Sequence, residues 1–128
     1  MDKLLENFPH CDEYDENSFT GIWHEKSILD YVKYCEFEKC IFDLASTNDG
    51  AEVAREIAWP IMRIFSYIMM TIQSHYDSND GFEILNLNQE DMYAFKNRFQ
   101  EVLEGFFNGK MPDNDDFELI NPLLEPSQ

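Results

Sequence analysis

The residues of this chain best placed to do chemistry are its histidines, its cysteines, one acidic pair and one isolated arginine. Their spacing limits what each could do. His10, His24 and His75 lie far apart, and none stands at a zinc-ligand interval from another His or a Cys. Asp77-x-Asn79-x-Gly81 resembles the start of a calcium loop, but glycine falls at the fifth position and no correctly spaced glutamate follows. Asp113-Asn114-Asp115-Asp116 has carboxylates and no such glycine. There is no Gly-x-Ser-x-Gly elbow and no phosphate-binding glycine loop. Glu52 and Glu56, one helical turn apart, could serve as an acid-base pair. A solvated helix face beside Arg55 accounts for them more simply. Arg63 is the single full charge between Ile57 and Ile72. It predicts either an ion pair with an acid on a neighbouring helix or exposure at a groove. No catalytic residue, metal site or cofactor is expected.

Apolar periodicity predicts the elements that carry these residues. From Ala51 to Tyr76, the residues Ala54, Ile57, Ala58, Ile61, Ile64, Phe65, Ile68, Met69 and Ile72 recur at three- and four-residue steps. Trp59, Met62, Tyr67 and Met70 fill the other sides, which predicts a central buried helix. Arg63 and Pro60 argue against a membrane span. Pro60 either kinks this helix or begins a second segment. Ser27 followed by Asp30 is close to a capping box and predicts the start of an earlier helix. Its stripe is Ile28, Tyr31, Val32, Cys35, Ile41, Phe42 and Ala45, widened by Tyr34, Phe37 and Leu44, and it ends at the turn signal Asn48-Asp49-Gly50. Asn88 caps a third long helix with the stripe Met92, Phe95, Phe99, Val102, Leu103 and Phe106, closed by Asn108-Gly109. Phe82 to Leu87 reads as a short strand or as an extended loop feeding Phe82, Ile84 or Leu85 into the core. The expected fold is all-α, a bundle of three main helices with short flanking ones in a single domain over 1–128. The alternative is α+β with a small sheet including 82–87. Residues 111–128 are expected to form an acidic, partly mobile tail.

Charge is the strongest functional signal. Nine basic residues against 26 acidic ones give a formal charge of −17, while 44% of residues are apolar. Such a surface repels phosphate backbones and disfavours direct nucleic-acid binding. It attracts a basic partner. Cys11, Cys35 and Cys40 are odd in number and follow no disulfide framework, which predicts free thiols in a reducing cytoplasm. No signal peptide is expected from the first residues. Interfaces combine aromatic anchors with complementary charge. The acidic-aromatic stretch supplies Asp12, Glu13, Asp15 and Glu16 as field and Tyr14, Phe19 and Trp23 as anchors. Glu36 and Glu38 would extend the patch, and Asp113, Asp115 and Asp116 would form a second one.

With Asp12-Glu13-Tyr14-Asp15-Glu16, a helical body and no other chemistry, the chain resembles the small acidic immunity proteins that bacteria make beside secreted toxins. These belong to contact-dependent growth inhibition and nuclease-colicin systems. The resemblance is one of type and transfers no site residue. It implies a cytoplasmic, non-catalytic protein that neutralises a cognate basic toxin domain, often a nuclease. The other functional classes open at this point are a nucleic-acid mimic or regulatory adaptor of a host nucleic-acid-binding protein, and a small enzyme using Glu52 and Glu56.

Overall fold

Side chains that satisfy free backbone groups set the helix boundaries. The computed structural model describes residues 2–47 and 52–124. They form α1 (Asp2–Glu6), α2 (Phe19–Lys26), α3 (Tyr31–Thr47), α4 (Arg55–Tyr76) and α5 (Gln89–Asn108), followed by a 3₁₀ turn at Asn114–Asp116. Ser18 Oγ accepts the Gly21 N–H at the start of α2, and Asn88 Oδ1 accepts the Asp91 N–H at the start of α5. Gly109, at φ 86°, closes α5 in the left-handed conformation that glycine tolerates best. The turn signal Asn48-Asp49-Gly50 lies outside the described residues, as does Ala51.

Ser27 does not open a helix. It ends α2 with φ 54°, its N–H bonded to the Trp23 carbonyl. A helix-starting cap has extended backbone, which Ser27 lacks. Asp30 takes that role instead. Its Oδ1 accepts the Lys33 N–H at 3.1 Å and its carbonyl accepts the Tyr34 N–H at 2.9 Å. The buried stripe of α3 is therefore Tyr34, Cys35, Phe37, Glu38, Cys40 and Ile41, while Val32 points to solvent.

The long apolar helix is also placed differently from expectation. α4 runs unbroken through Pro60 and packs on α5 and α1, whereas α3 packs on α1, α2 and α5. α4 buries one face, with Pro60, Ile61, Ile64, Ile68, Thr71 and Ile72, and leaves Trp59, Met62 and Met70 exposed. Pro60 has no N–H for the Glu56 carbonyl, and Glu56 is exposed, where water satisfies that group.

The centre of the core is aromatic. The Phe19 ring lies 5.1 Å from Tyr34, 5.4 Å from Phe37, 6.1 Å from Phe95 and 6.2 Å from both Trp23 and Phe99, so it joins α2, α3 and α5. Burying a ring of this size contributes about 1.5–3 kcal/mol. Trp23 Nε1 donates to Thr71 Oγ1 at 2.9 Å and ties α2 to α4.

No strand forms among the described residues, and 82–87 is a loop with a turn at Leu85–Asn86. Asn86 substitutes for a ladder: its side-chain amide pairs with both backbone groups of Leu29, at 2.8 Å each. Ile84 enters the core and Leu85 stays exposed.

One ion pair is wholly enclosed. Arg98 on α5 and Glu38 on α3 are both 0% exposed. Arg98 Nε and Nη2 donate to the two Glu38 oxygens at 2.7 Å each. Nη2 also reaches Asn114 Oδ1, and Nη1 reaches the carbonyls of Asn114 and Leu119. All five N–H groups of the guanidinium are used. Glu38 also accepts from Tyr34 Oη and Asn121 Nδ2, which fills its four lone-pair sites. Burial opposes the charge on Arg98, but the hydrogen bonds and charge of Glu38 outweigh it and hold its pKa above the ordinary value. The same contacts clamp residues 114–121 onto the body. Within the expected tail, residues 114–121 are thus bonded to the body, and residues 125–128 lie outside those described.

Candidate functional site

The acidic loop between α1 and α2 is held at many points along its backbone. The Asp15 N–H donates to the Glu6 carbonyl at 2.8 Å, Ser18 N–H to the Asp15 carbonyl at 3.0 Å, and Tyr14 N–H to the Cys11 carbonyl at 3.3 Å. Cys11 Sγ lies 3.3 Å from the carbonyls of both Leu5 and Phe8. Asp15 Oδ1 accepts the Asn17 N–H at 2.8 Å, so this carboxylate shapes the loop as well as charging it. Gly21 completes the clamp. A Cβ there would lie 2.5 Å from the Asp15 carbonyl oxygen and 2.6 Å from the Glu16 carbonyl carbon and oxygen. Only glycine lets the loop backbone press this closely on α2.

Held in this way, Asp12, Glu13, Asp15 and Glu16 all project into solvent, with Tyr14 half-buried among them. Burial raises the Tyr14 pKa, and the nearby charges of Glu25, Glu16 and Asp15 raise it further. Charge repulsion among fixed carboxylates is a cost that the loop's hydrogen bonds offset.

Three of the expected contact residues are not on the surface. Phe19 and Trp23 are core rings, 1% and 0% exposed, because they lie on the inner face of α2. Glu38 is enclosed with Arg98. None of the three can touch a partner. Glu36 is half-buried and lies 3.6 Å from Lys3 and 3.8 Å from Lys33, so its charge is locally balanced. Asp113, Asp115 and Asp116 are exposed around the 3₁₀ turn, but Asn114 between them points inward to Arg98. Among the described residues, no hydrogen bond or ion pair joins this turn to the 12–16 loop.

The exposed aromatic beside the loop is Trp59, 56% exposed on the outer face of α4. It stacks on His10 with centroids 6.5 Å apart and an interplanar angle of 17°, and meets the edge of Phe8 at 6.0 Å. Sequence reasoning placed Trp59 inside the core. The signal that separates it was its phase: Pro60, Ile61, Ile64, Ile68 and Ile72 share one face, and position 59 is on another.

Other candidates resolve into local structure. Asp77 Oδ1 and Asp80 Oδ1 accept the backbone N–H groups of Asn79 and Phe82 at 2.9 Å, as turn-forming aspartates do. Among the described residues, no three His, Cys, Asp or Glu side chains are grouped to hold a metal ion. Glu52 precedes α4, so it and Glu56 do not share a helix face. Arg63 is exposed at a groove; its Nε donates to His10 Nε2 at 3.3 Å. No helix among the described residues is long and apolar enough to cross a membrane. The chain matches no protein-family model, and no curated protein or solved structure matches it.

Proposed function

We propose that this chain is an immunity-type protein that binds and neutralises a basic toxin domain, in the class of a nuclease. The carboxylates of the 12–16 loop stand where substrate phosphates would lie, and Trp59 is the adjoining aromatic contact. The observation that carries the reading is the restraint of the loop. The backbone that carries the four acidic residues is held by several hydrogen bonds and a glycine clamp, and the Asp15 carboxylate is itself bonded to the loop. Preorganisation of this kind reduces the entropy lost on binding. A net charge of −17 adds long-range attraction. Such a field lifts association toward ~10⁸ M⁻¹s⁻¹ at low salt and is screened over about 8 Å at physiological salt.

The test is capture of partners from source-cell lysate at low and high salt, comparing the native chain with the triple variant Asp12→Lys, Glu13→Lys, Glu16→Lys. Asp15 is left alone because it shapes the loop. A single basic protein retained by the native chain, and held at least about tenfold more weakly by the variant, supports the proposal. Equal retention by both chains refutes the role of this loop. Retention of many unrelated basic proteins points instead to a nucleic-acid mimic.

A further inference from the structure

We propose that a small pocket between the 9–18 loop, α2 and α4 binds a compact oxyanion, either a phosphate or a carboxylate. The pocket has a volume of about 180 Å³ and is lined by Thr20, His10, His24, Arg63 and Tyr67 together with apolar neighbours. Ligand sites for drug-sized molecules occupy about 300–1,000 Å³, so this one suits a group of a few heavy atoms.

Two independent observations point to a ligand. The first is Thr20. It is 1% exposed, and its Oγ1 is the one buried side-chain oxygen or nitrogen among the described residues without a hydrogen-bond partner. Its backbone N–H is already satisfied by Asn7 Oδ1 at 2.9 Å, which fixes the residue at the pocket wall. A buried hydroxyl left unpaired is costly; this oxygen has essentially no accessible surface, so an oxyanion accepts its proton only once the Thr20 side chain turns about χ1 toward the pocket.

The second is Arg63. In a chain with 26 acidic residues it makes no ion pair among the described residues. Its Nε is spent on His10 Nε2, and the four N–H groups of its terminal nitrogens have no protein partner there. His10 accepts that bond, so its lone pair is on Nε2. The His10 ring that accepts this bond lies parallel to Trp59, with centroids 6.5 Å apart. A guanidinium fork matches carboxylate and phosphate oxygens in a bidentate manner. His24 Nδ1 and Tyr67 Oη are 2.7 Å apart, which orders the opposite wall.

The charges facing the pocket are mixed. Glu25 lies 3.9 Å from His24 Nε2 and opposes an anion. Burial first, then the charges of Tyr14 and Glu25, raise the Tyr67 pKa. More distant carboxylates are screened beyond about 10 Å at 0.1 M salt. The site does not depend on the toxin-binding proposal, and its experiment uses no protein partner.

Inorganic phosphate and acetate are titrated separately into the isotopically labelled full chain at fixed ionic strength, with chloride as reference. The imidazole signals of His10 and His24 and the Arg63 Nε–H signal are followed by NMR. Saturating shifts with phosphate alone identify a tetrahedral anion; saturation with acetate identifies a carboxylate, free or carried by a protein. Arg63→Gln weakens the saturating anion about 10- to 100-fold. Thr20→Val weakens it too, while its Tm without anion is equal to or above the native value because an unpaired hydroxyl has been removed. The proposal is overturned if both anions give only the linear shifts of chloride, or if Arg63→Gln binds as tightly as the native chain. A lower Tm for Thr20→Val without anion also overturns it, since the hydroxyl must then already have a partner.

Discussion

Arg98→Met removes the counter-ion of a carboxylate that has no access to water. Glu38 would keep only Tyr34 Oη and Asn121 Nδ2 as donors, at 2.9 and 2.8 Å. Breaking one side of a buried pair costs about 3–5 kcal/mol. The carbonyls of Asn114 and Leu119 and the Asn114 amide oxygen lose their donor as well, at about 1–3 kcal/mol for any that stays buried. These terms do not add fully, because the 114–121 segment can lift away and hydrate. A loss of about 4 kcal/mol is the expected net, against the 5–15 kcal/mol typical of a domain. The double variant Glu38→Leu, Arg98→Met replaces the pair by apolar groups and should cost no more than about 2 kcal/mol, less than either single change. Urea unfolding of the three variants gives these energies, and hydrogen exchange of the Asn121 amide, bonded to Asn114 Oδ1 at 2.9 Å, reports whether the clamp has opened. A single-variant loss below about 1 kcal/mol, or a double variant equal to the sum of the singles, would refute the reasoning.

Gly21→Ala places a methyl group 2.5–2.6 Å from backbone atoms that cannot rotate away, so the acidic loop must shift. It should destabilise the chain by about 1–3 kcal/mol and speed exchange of the Asp15 and Ser18 amides; unchanged Tm and exchange would show that the loop is not clamped there. Alkaline pH should also destabilise the fold. Burial first, with the charge of Glu38, pushes the Cys35 thiol up to about 11 against the lowering effect of the Tyr31 hydrogen bond, and burial with Glu38 raises Tyr34 well above its ordinary range. A group raised on folding contributes stability that is complete below its unfolded pKa and is lost as pH climbs through its folded one. For Cys35 that window is pH 9 to about 11. Urea midpoints should fall across it, and Cys35→Ala should retain more of its stability there; a flat profile would contradict the burial of these groups.

The three main helices were legible because their apolar stripes keep period along the chain. Met92, Phe95, Phe99, Val102, Leu103 and Phe106 are all buried as their spacing predicts, and Asn88 and Gly109 bound the helix as expected. Most of the misreadings share one cause: residue type outweighed phase. Arg98 falls on the face shared by Phe95, Phe99 and Val102, and Glu38 falls between Phe37 and Ile41 on the inner face of α3. Two opposite charges at inner positions of two helices were a visible clue to a buried pair, whereas Arg63 sits off the α4 stripe and is exposed. Ser27 misled because a serine three residues before an acid fits a helix start, and its left-handed backbone is invisible in sequence. The exposure of Trp59 was readable in the same way, since position 59 lies off the face shared by Ile61, Ile64, Ile68 and Ile72. Tyr14 and the four acids of the loop were legible as surface. The Thr20 pocket was not, because it joins residues up to 58 positions apart, from Pro9 to Tyr67.

The enclosed pair also orders events during synthesis. Glu38 and Arg98 are 60 residues apart, and all their remaining partners except Tyr34 lie later still, at Asn114, Leu119 and Asn121. A nascent chain leaving the ribosome has all its major helices before it has the groups that make its interior electrically complete. Until Asn121 emerges, the meeting of α3 with α5 leaves polar atoms unanswered, so the closest packing of these two helices waits for residues 114–121.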